Sequence, residues 1–378
     1  MEVGVCELPL NTRFGPMTLM EAGYRNATAA RADSFWVPDH LNSLFPRSVM
    51  TTRYSGATRL IPKTDACLDP WTTLGHLAGR HRRGTMRLGT AVTDTARRNP
   101  AVTAQAAATL HLMTRGRAIL GIGTGEREGN EPYGVDWSRP VARFEEAMAT
   151  IRALWNSGGQ LVDRDSEFFP LRNAVFDLPP YKGRWPEIWI ASHGPRMLRA
   201  TGRYADAWFP AIIFDPQVYA AGLAKVNAAA DDADRDPAGI TASVLLFVVT
   251  GGGRAEVDEA LDSTALKSFA LCAPGSTWIE HGEQHPMGAD FSGVQDIIPQ
   301  TLDEATVLKY TALVPSTLMR SVCLNGAPDE VIEKAAEWRD SGVRHIVLCN
   351  LSPPQPSLRR GMAAMGPFHR IVRGLRRL

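Results

Sequence analysis

The sequence predicts an α/β fold, a (β/α)8 barrel carrying insertions, on three observations. Short apolar runs of strand length alternate with amphipathic segments of helical period along nearly the whole chain. Parallel strands need a crossover, usually helical, so repeated units of this kind build a parallel sheet. The chain holds roughly eight such units, and its 378 residues exceed the roughly 250 that a closed barrel takes. An open, doubly wound sheet is the alternative arrangement of the same units.

The strand-like runs are Phe35–Val37, Arg87–Ala91, Ala118–Gly123, Glu187–Ala191, Ala207–Ile213, Ser243–Thr250 and His345–Asn350. Before Ala118 lies a helix with Asn99 as N-cap and Pro100 at its first position, its apolar face read as Val102, Ala106, Leu110 and Met113, and Gly116 ending it. Ser138 can cap the next, whose face is Val141, Phe144, Met148, Ile151 and Trp155. Residues 195–204 form a third, leading into the strand at Ala207. Pro328 opens a fourth, running through Val331, Ile332, Ala335 and Trp338 to Gly342. The surplus length falls in three candidate insertions, about 41–82, 156–186 and 266–325. The tail alternates Phe368, Ile371, Val372 and Leu375 with Arg370, Arg373, Arg376 and Arg377. It reads as a last helix packed on the barrel with a wet arginine face, or as a peripheral membrane contact.

Forty-one Lys and Arg against 40 Asp and Glu leave a net charge of +1, which offers no electrostatic footing for nucleic acid. Residues 1–10 lack the pattern of a secretory signal, and no apolar run approaches the ~20 residues of a membrane span. Five scattered cysteines without a CxxC pair argue against a disulfide framework and fit a reducing, cytoplasmic setting.

In such a barrel the chemistry lies where strands end. Pro38-Asp39-His40 places a carboxylate beside an imidazole at one such point, a pair suited to ligand hydrogen bonds and proton transfer; the plain alternative is an Asp-His turn. Gly123-Thr124-Gly125-Glu126 ends another. It is neither a dinucleotide fingerprint nor a phosphate loop, but its glycines let backbone approach a ligand and aim Glu126 at the barrel mouth. Ser192-His193-Gly194-Pro195-Arg196 opens a helix whose first N–H groups suit a phosphate; here too the plain reading is an N-cap, with Ser192 in that role. The histidines at 281 and 285 resemble a zinc-protease pair only superficially, because the glutamate spacing is wrong and Gly282 and Pro286 oppose a helix; no metal is expected.

The stretches VPDH (37–40), RRNPAVTAQAAATLHLMTRGRAILGIGTGE (97–126) and IASHGPRMLRATGRYADAW (190–208) resemble the luciferase-like family of coenzyme F420-dependent oxidoreductases. Residues 125–135, 139–157, 285–301 and 328–340 resemble the lipid-ketone reductases among them. The resemblance implies a luciferase-like (β/α)8 barrel binding a deazaflavin. It implies His40 and Glu126 as proton-transfer groups and Asp39 as a cofactor contact. Thr93 follows as a further contact, with a non-proline cis bond at Thr90–Ala91. Thr124, Gly125 and Asn130 would hold the ring, this chain having one extra residue between Glu126 and Asn130. His193, Gly194, Arg196 and Met197 would form the phosphate-side turn. Leu44 stands where sugar-phosphate dehydrogenases of the family carry tryptophan, and Phe214 and Asp215 occupy the region of their phosphate-binding lysine. The implied substrate is therefore an apolar, ketone-bearing lipid, and the implied assembly a homodimer. Two other readings stay open: a monooxygenase of the same fold using reduced FMN and O2, and a non-catalytic barrel that binds cofactor or lipid.

Overall fold

The computed structural model describes residues 1–378. Eight parallel strands close into a barrel: β1 (Glu2–Cys6), β2 (Ser34–Val37), β3 (Arg87–Thr90), β4 (Ala118–Gly123), β5 (Glu187–Ile190), β6 (Ala207–Trp208), β7 (Thr241–Thr250) and β8 (His345–Asn350). Each pairs with the next, and β8 pairs back on β1 with Cys349 opposite Cys6, which excludes the open sheet. The crossover helices are α1 (Thr18–Ala29), α2 (Pro70–Arg80), α3 (Pro100–Met113), α4 (Pro140–Trp155), α5 (Pro195–Tyr204), α6 (Pro216–Asp231) and α7 (Pro328–Asp340). A last helix, α8 (Met365–Leu375), buries Phe368, Ile371, Val372 and Leu375 and packs on α7 and β1. No helix is long and apolar enough to cross a membrane.

Several sequence expectations need correction. β1 was not among the expected strands. The expected seven-residue run Ala207–Ile213 yields only two strand residues, because the chain leaves the sheet after Trp208. Asn99 does cap α3, its side chain accepting from the Ala101 N–H at 2.9 Å. The buried face of α3, however, is Thr103, Ala104, Ala107, Ala108 and Leu110, while Val102 and Met113 are exposed. Small alanines bring this helix close to the sheet, and Val102 and Met113 turn outward. Ser138 does not cap α4; the N-cap is Arg139, held at φ 50°. Ser192 does not cap α5 either. Gly194 takes that place, and the Ser192 hydroxyl meets that of Thr201 at 2.7 Å.

Residues 41–82 hold a long loop followed by α2, which is a crossover helix of the barrel. Residues 156–186 carry an antiparallel hairpin pairing Val162–Arg164 with Leu171–Ala174. Residues 266–325 form short helices around a second apolar core. It includes Phe269, Trp278 and Leu318, and Phe45 joins it from the 41–82 loop.

One end of the barrel is plugged. Trp36, Trp189 and Phe209 pack in its interior with ring centroids 4.6 to 5.4 Å apart. Beneath them Ser34, His345, Glu2, Arg87 and Glu187 form a polar network. What remains open is the opposite end, where the strands terminate.

Candidate active site

The open end forms a cleft of about 320 Å³ whose walls come from the ends of β1, β2, β4, β5, β7 and β8 and from the loops that follow. More than half of its lining side chains are apolar, among them Leu44, Val141, Phe209 and Phe247.

His40 enters from the loop after β2. Its Nδ1 lies 2.8 Å from Oε1 of Glu128, whose side chain is fully buried. Burial pulls the imidazole down, but the hydrogen bond to Glu128 and the charges of Glu126 and Glu128 outweigh it and hold His40 at about 9. His40 is therefore a cation at neutral pH. Glu126, on the same wall, is pushed above the usual carboxylate range by burial, against the pull of the His40 charge. Potential ligand atoms of His40, Glu126 and Glu128 lie within 4.8 Å of one another. This is a metal-ligand type of set, in a place where the sequence suggested none, but the His40 Nδ1 is already committed to Glu128.

Ala91, Thr124, Gly125, Glu126, His193, Gly194, Arg196 and Met197 also line the cleft. Gly125 adopts φ +83°, and a Cβ there would meet the Asp94 Cβ at 2.6 Å and the Asn130 Nδ2 at 3.0 Å, so the turn requires glycine. The cis peptide bond joins Ala91 and Val92, one residue beyond the expected Thr90–Ala91.

Asp39, Thr90, Thr93 and Asn130 are brought close to the cleft but lie behind its wall. The Asp39 carboxylate is saturated. Its Oδ2 accepts from Thr93 Oγ1 at 2.7 Å and Arg98 Nε at 2.8 Å, and its Oδ1 from Arg97 Nη2 at 3.1 Å and Arg98 Nη2 at 3.2 Å. Arg97 also reaches Asp94 at 3.3 Å and the carbonyl of Gly129 at 2.9 Å. One guanidinium thus ties the ends of β2 and β3 to the loop after β4. Asn130 Nδ2 donates to the Glu126 carbonyl at 2.8 Å and so fixes the backbone from which Glu126 projects. The Thr90 hydroxyl donates to the Gly121 carbonyl at 2.7 Å.

Glu128 and the Arg97–Arg98 pair are the residues that motif reading passed over. For Glu128 no local signal existed. For the arginines the signal was their place just before the Asn99 cap, in the loop after β3. Replacing Thr93 by Val removes one hydrogen bond to a buried carboxylate. It should lower unfolding free energy by about 1.5 kcal/mol in a denaturant titration, since Asp39 keeps both arginines.

The profile of the luciferase-like monooxygenase family matches residues 23–345. A phthiodiolone/phenolphthiodiolone dimycocerosates ketoreductase of Mycobacterium sp. (strain JLS) is 63% identical over 361 residues, spanning 96% of this chain and 95% of that one. The protein of the same name from Mycobacterium tuberculosis is 58% identical over an alignment of 380 residues, spanning 100% of this chain and 99% of that one. Among solved structures, an F420-dependent secondary alcohol dehydrogenase in complex with an F420-acetone adduct superposes with a TM-score of 0.75 at 19% identity, over 99% of this chain and 98% of that chain. With a closed barrel of this kind and a family match across most of its length, the chain belongs to the luciferase-like family.

Proposed function

We propose that this oxidoreductase reduces the ketone of an apolar lipid of the phthiodiolone and phenolphthiodiolone dimycocerosate type, with F420 as its cofactor. The observation that carries the reading is an imidazole kept cationic at the wall of a largely apolar cleft. Such a site suits a greasy ketone whose oxygen must gain a proton.

The cleft fits a flavin-type group on structural grounds. Gly123 and Gly125 expose backbone along one wall, and at Gly194 a Cβ would meet no atom within 4 Å, leaving open space at the start of α5. The first N–H groups of that helix, with Arg196 beside them, suit a phosphate. Reduced F420, when bound, supplies the hydride. The chain supplies the proton traffic. His40 presents Nε2 to the ketone oxygen while its Nδ1 stays on Glu128, and it releases a proton as negative charge develops there. Glu126, which lines the same cleft, would serve as the second proton-transfer group. Asp39, Thr93, Arg97 and Asn130 act from behind, holding the loops that carry His40 and Glu126. The apolar walls exclude water and receive the substrate's hydrocarbon parts.

A fluorescence titration of the apoprotein with F420 and, separately, with FMN tests this directly. The expected result is tight F420 binding, weak FMN binding, and oxidation of reduced F420 on addition of a phthiodiolone lipid. A preference for FMN, with oxygen consumption, would overturn the reading in favour of a monooxygenase.

A further inference from the structure

We propose that the cleft continues through the seam between β6 and β7 into a second cavity that houses a hydrocarbon arm of the substrate. The inference rests on the lipid-ketone reading above and specifies where such a substrate places part of its length.

The seam opens for a reason visible in the backbone. β6 pairs with β7 only at Ala207 opposite Thr241 and Trp208 opposite Ala242. The last backbone hydrogen bond across it runs from the Leu245 N–H to the Pro210 carbonyl, 2.9 Å. Beyond that point β7 continues to Thr250 beside β8, while the chain at 211–216 swings away to start α6. A cavity of about 250 Å³ fills the wedge, bounded on its far side by α7 and by the segment 320–324. It shares three residues with the cleft, Ile212, Leu245 and Phe247, which stand as a partition between the two spaces.

The partition is unusual in two ways. Ile212 has φ +55°, a conformation that β-branched residues rarely adopt. The fold tolerates it at the point where that side chain separates two cavities, and strained residues gather at ligand clamps. Phe247 is only partly buried, whereas Leu246 and Val248 on either side of it are buried. Its ring and the Ile212 side chain pack on the apolar cluster that includes Phe269, and in this proposal their rotation joins the two spaces.

The chemistry of the second cavity selects its occupant. Two thirds of its lining residues are hydrophobic, among them Ile213, Leu246, Val322 and Trp338. The cations near it are already engaged: Arg320 pairs with Asp258 at 2.8 Å, and Lys334 donates to the Asn325 carbonyl at 2.8 Å. Glu337 adds a carboxylate to the lining, which disfavours an anion, whereas a flexible alkyl chain can lie along the apolar side chains.

Two measurements test this. In the first, methyl ketones of increasing length are reduced with F420. Once the chain passes the partition, kcat/KM should go on rising by about fourfold per added methylene, as expected for burying a CH2. Ser321→Trp, which fills the second cavity from its outer wall, should abolish the further rise and leave the shortest ketone unaffected. In the second, long methyl ketones brominated at the far end are added to apoprotein. They should quench Trp338, seen as a difference between the wild type and Trp338→Phe, and short brominated ketones should not. A profile that levels off at the capacity of the cleft, together with absent Trp338 quenching, overturns the proposal. If no ketone oxidises reduced F420, the reduction itself is overturned, and the quenching result alone decides the fate of the second cavity.

Discussion

Replacing His40 by Asn is expected to lower kcat for ketone reduction by about 10² to 10⁴, the range for loss of a positioned general acid, while leaving the fold intact. The choice of Asn matters. Its side-chain amide can donate to Glu128 roughly as Nδ1 of His40 does at 2.8 Å, but it has nothing corresponding to Nε2 and cannot release a proton. His40→Ala removes both functions. It leaves the fully buried Glu128 carboxylate without the partner of its Oε1, and Oε2 already has none, so a stability loss of about 1 to 3 kcal/mol should accompany the loss of turnover. Comparing the two variants separates chemistry from folding. If His40→Asn keeps wild-type kcat across the pH range, His40 is not the acid. Wild-type rates in both variants would mean that another group delivers the proton.

The barrel was legible because its pattern is repeated and each repeat is locally consistent. Asn99-Pro100 followed by a helical period and then the run AILGIG describes a crossover and its strand without outside help. The failures have particular causes. β1 is five residues at the very start of the chain, and its strand character comes from β2 and β8 on either side. The run at Ala207–Ile213 is apolar for its whole length, yet most of it serves the partition and the cleft wall, and apolarity does not distinguish these uses. At the site, the three strand-end loops could be located from sequence, because glycines, Asp39-His40 and a helix start fall directly after apolar runs. The roles within those loops were less accessible. Asp39 looks like a group facing a ligand until Arg97, Arg98 and Thr93 are seen to fill its hydrogen-bonding capacity. Those partners lie 54 to 59 residues away, and only the closed sheet brings them together. Glu128 is a lone charge in a loop, 88 residues from His40, and nothing local marks it as buried.

Glu128→Gln should therefore expose how much of the site depends on that one carboxylate. Gln preserves the shape and can still accept from Nδ1, so the orientation and tautomer of His40 persist, but the charge that stabilises the imidazolium is gone. Burial and the Arg97 charge are then opposed by one carboxylate fewer, and His40 is expected to fall below about 9. On the alkaline side the protonated fraction drops relative to the wild type, and turnover drops with it. At acid pH both enzymes are protonated and the rates converge. The sign for stability follows the same shift. A histidine raised in the folded state contributes stability that is complete below its unfolded value of about 6.5 and is lost as pH rises through about 9, so the wild type's advantage over Glu128→Gln should fade across that window. The imidazole resonances of His40 in the apoprotein report the same titration without cofactor or substrate. A pH-independent loss of rate, with His40 still titrating near 9, would mean that Glu128 only fills space. A basic limb that moves down with the His40 resonance assigns Glu128 the control of when the site holds its proton.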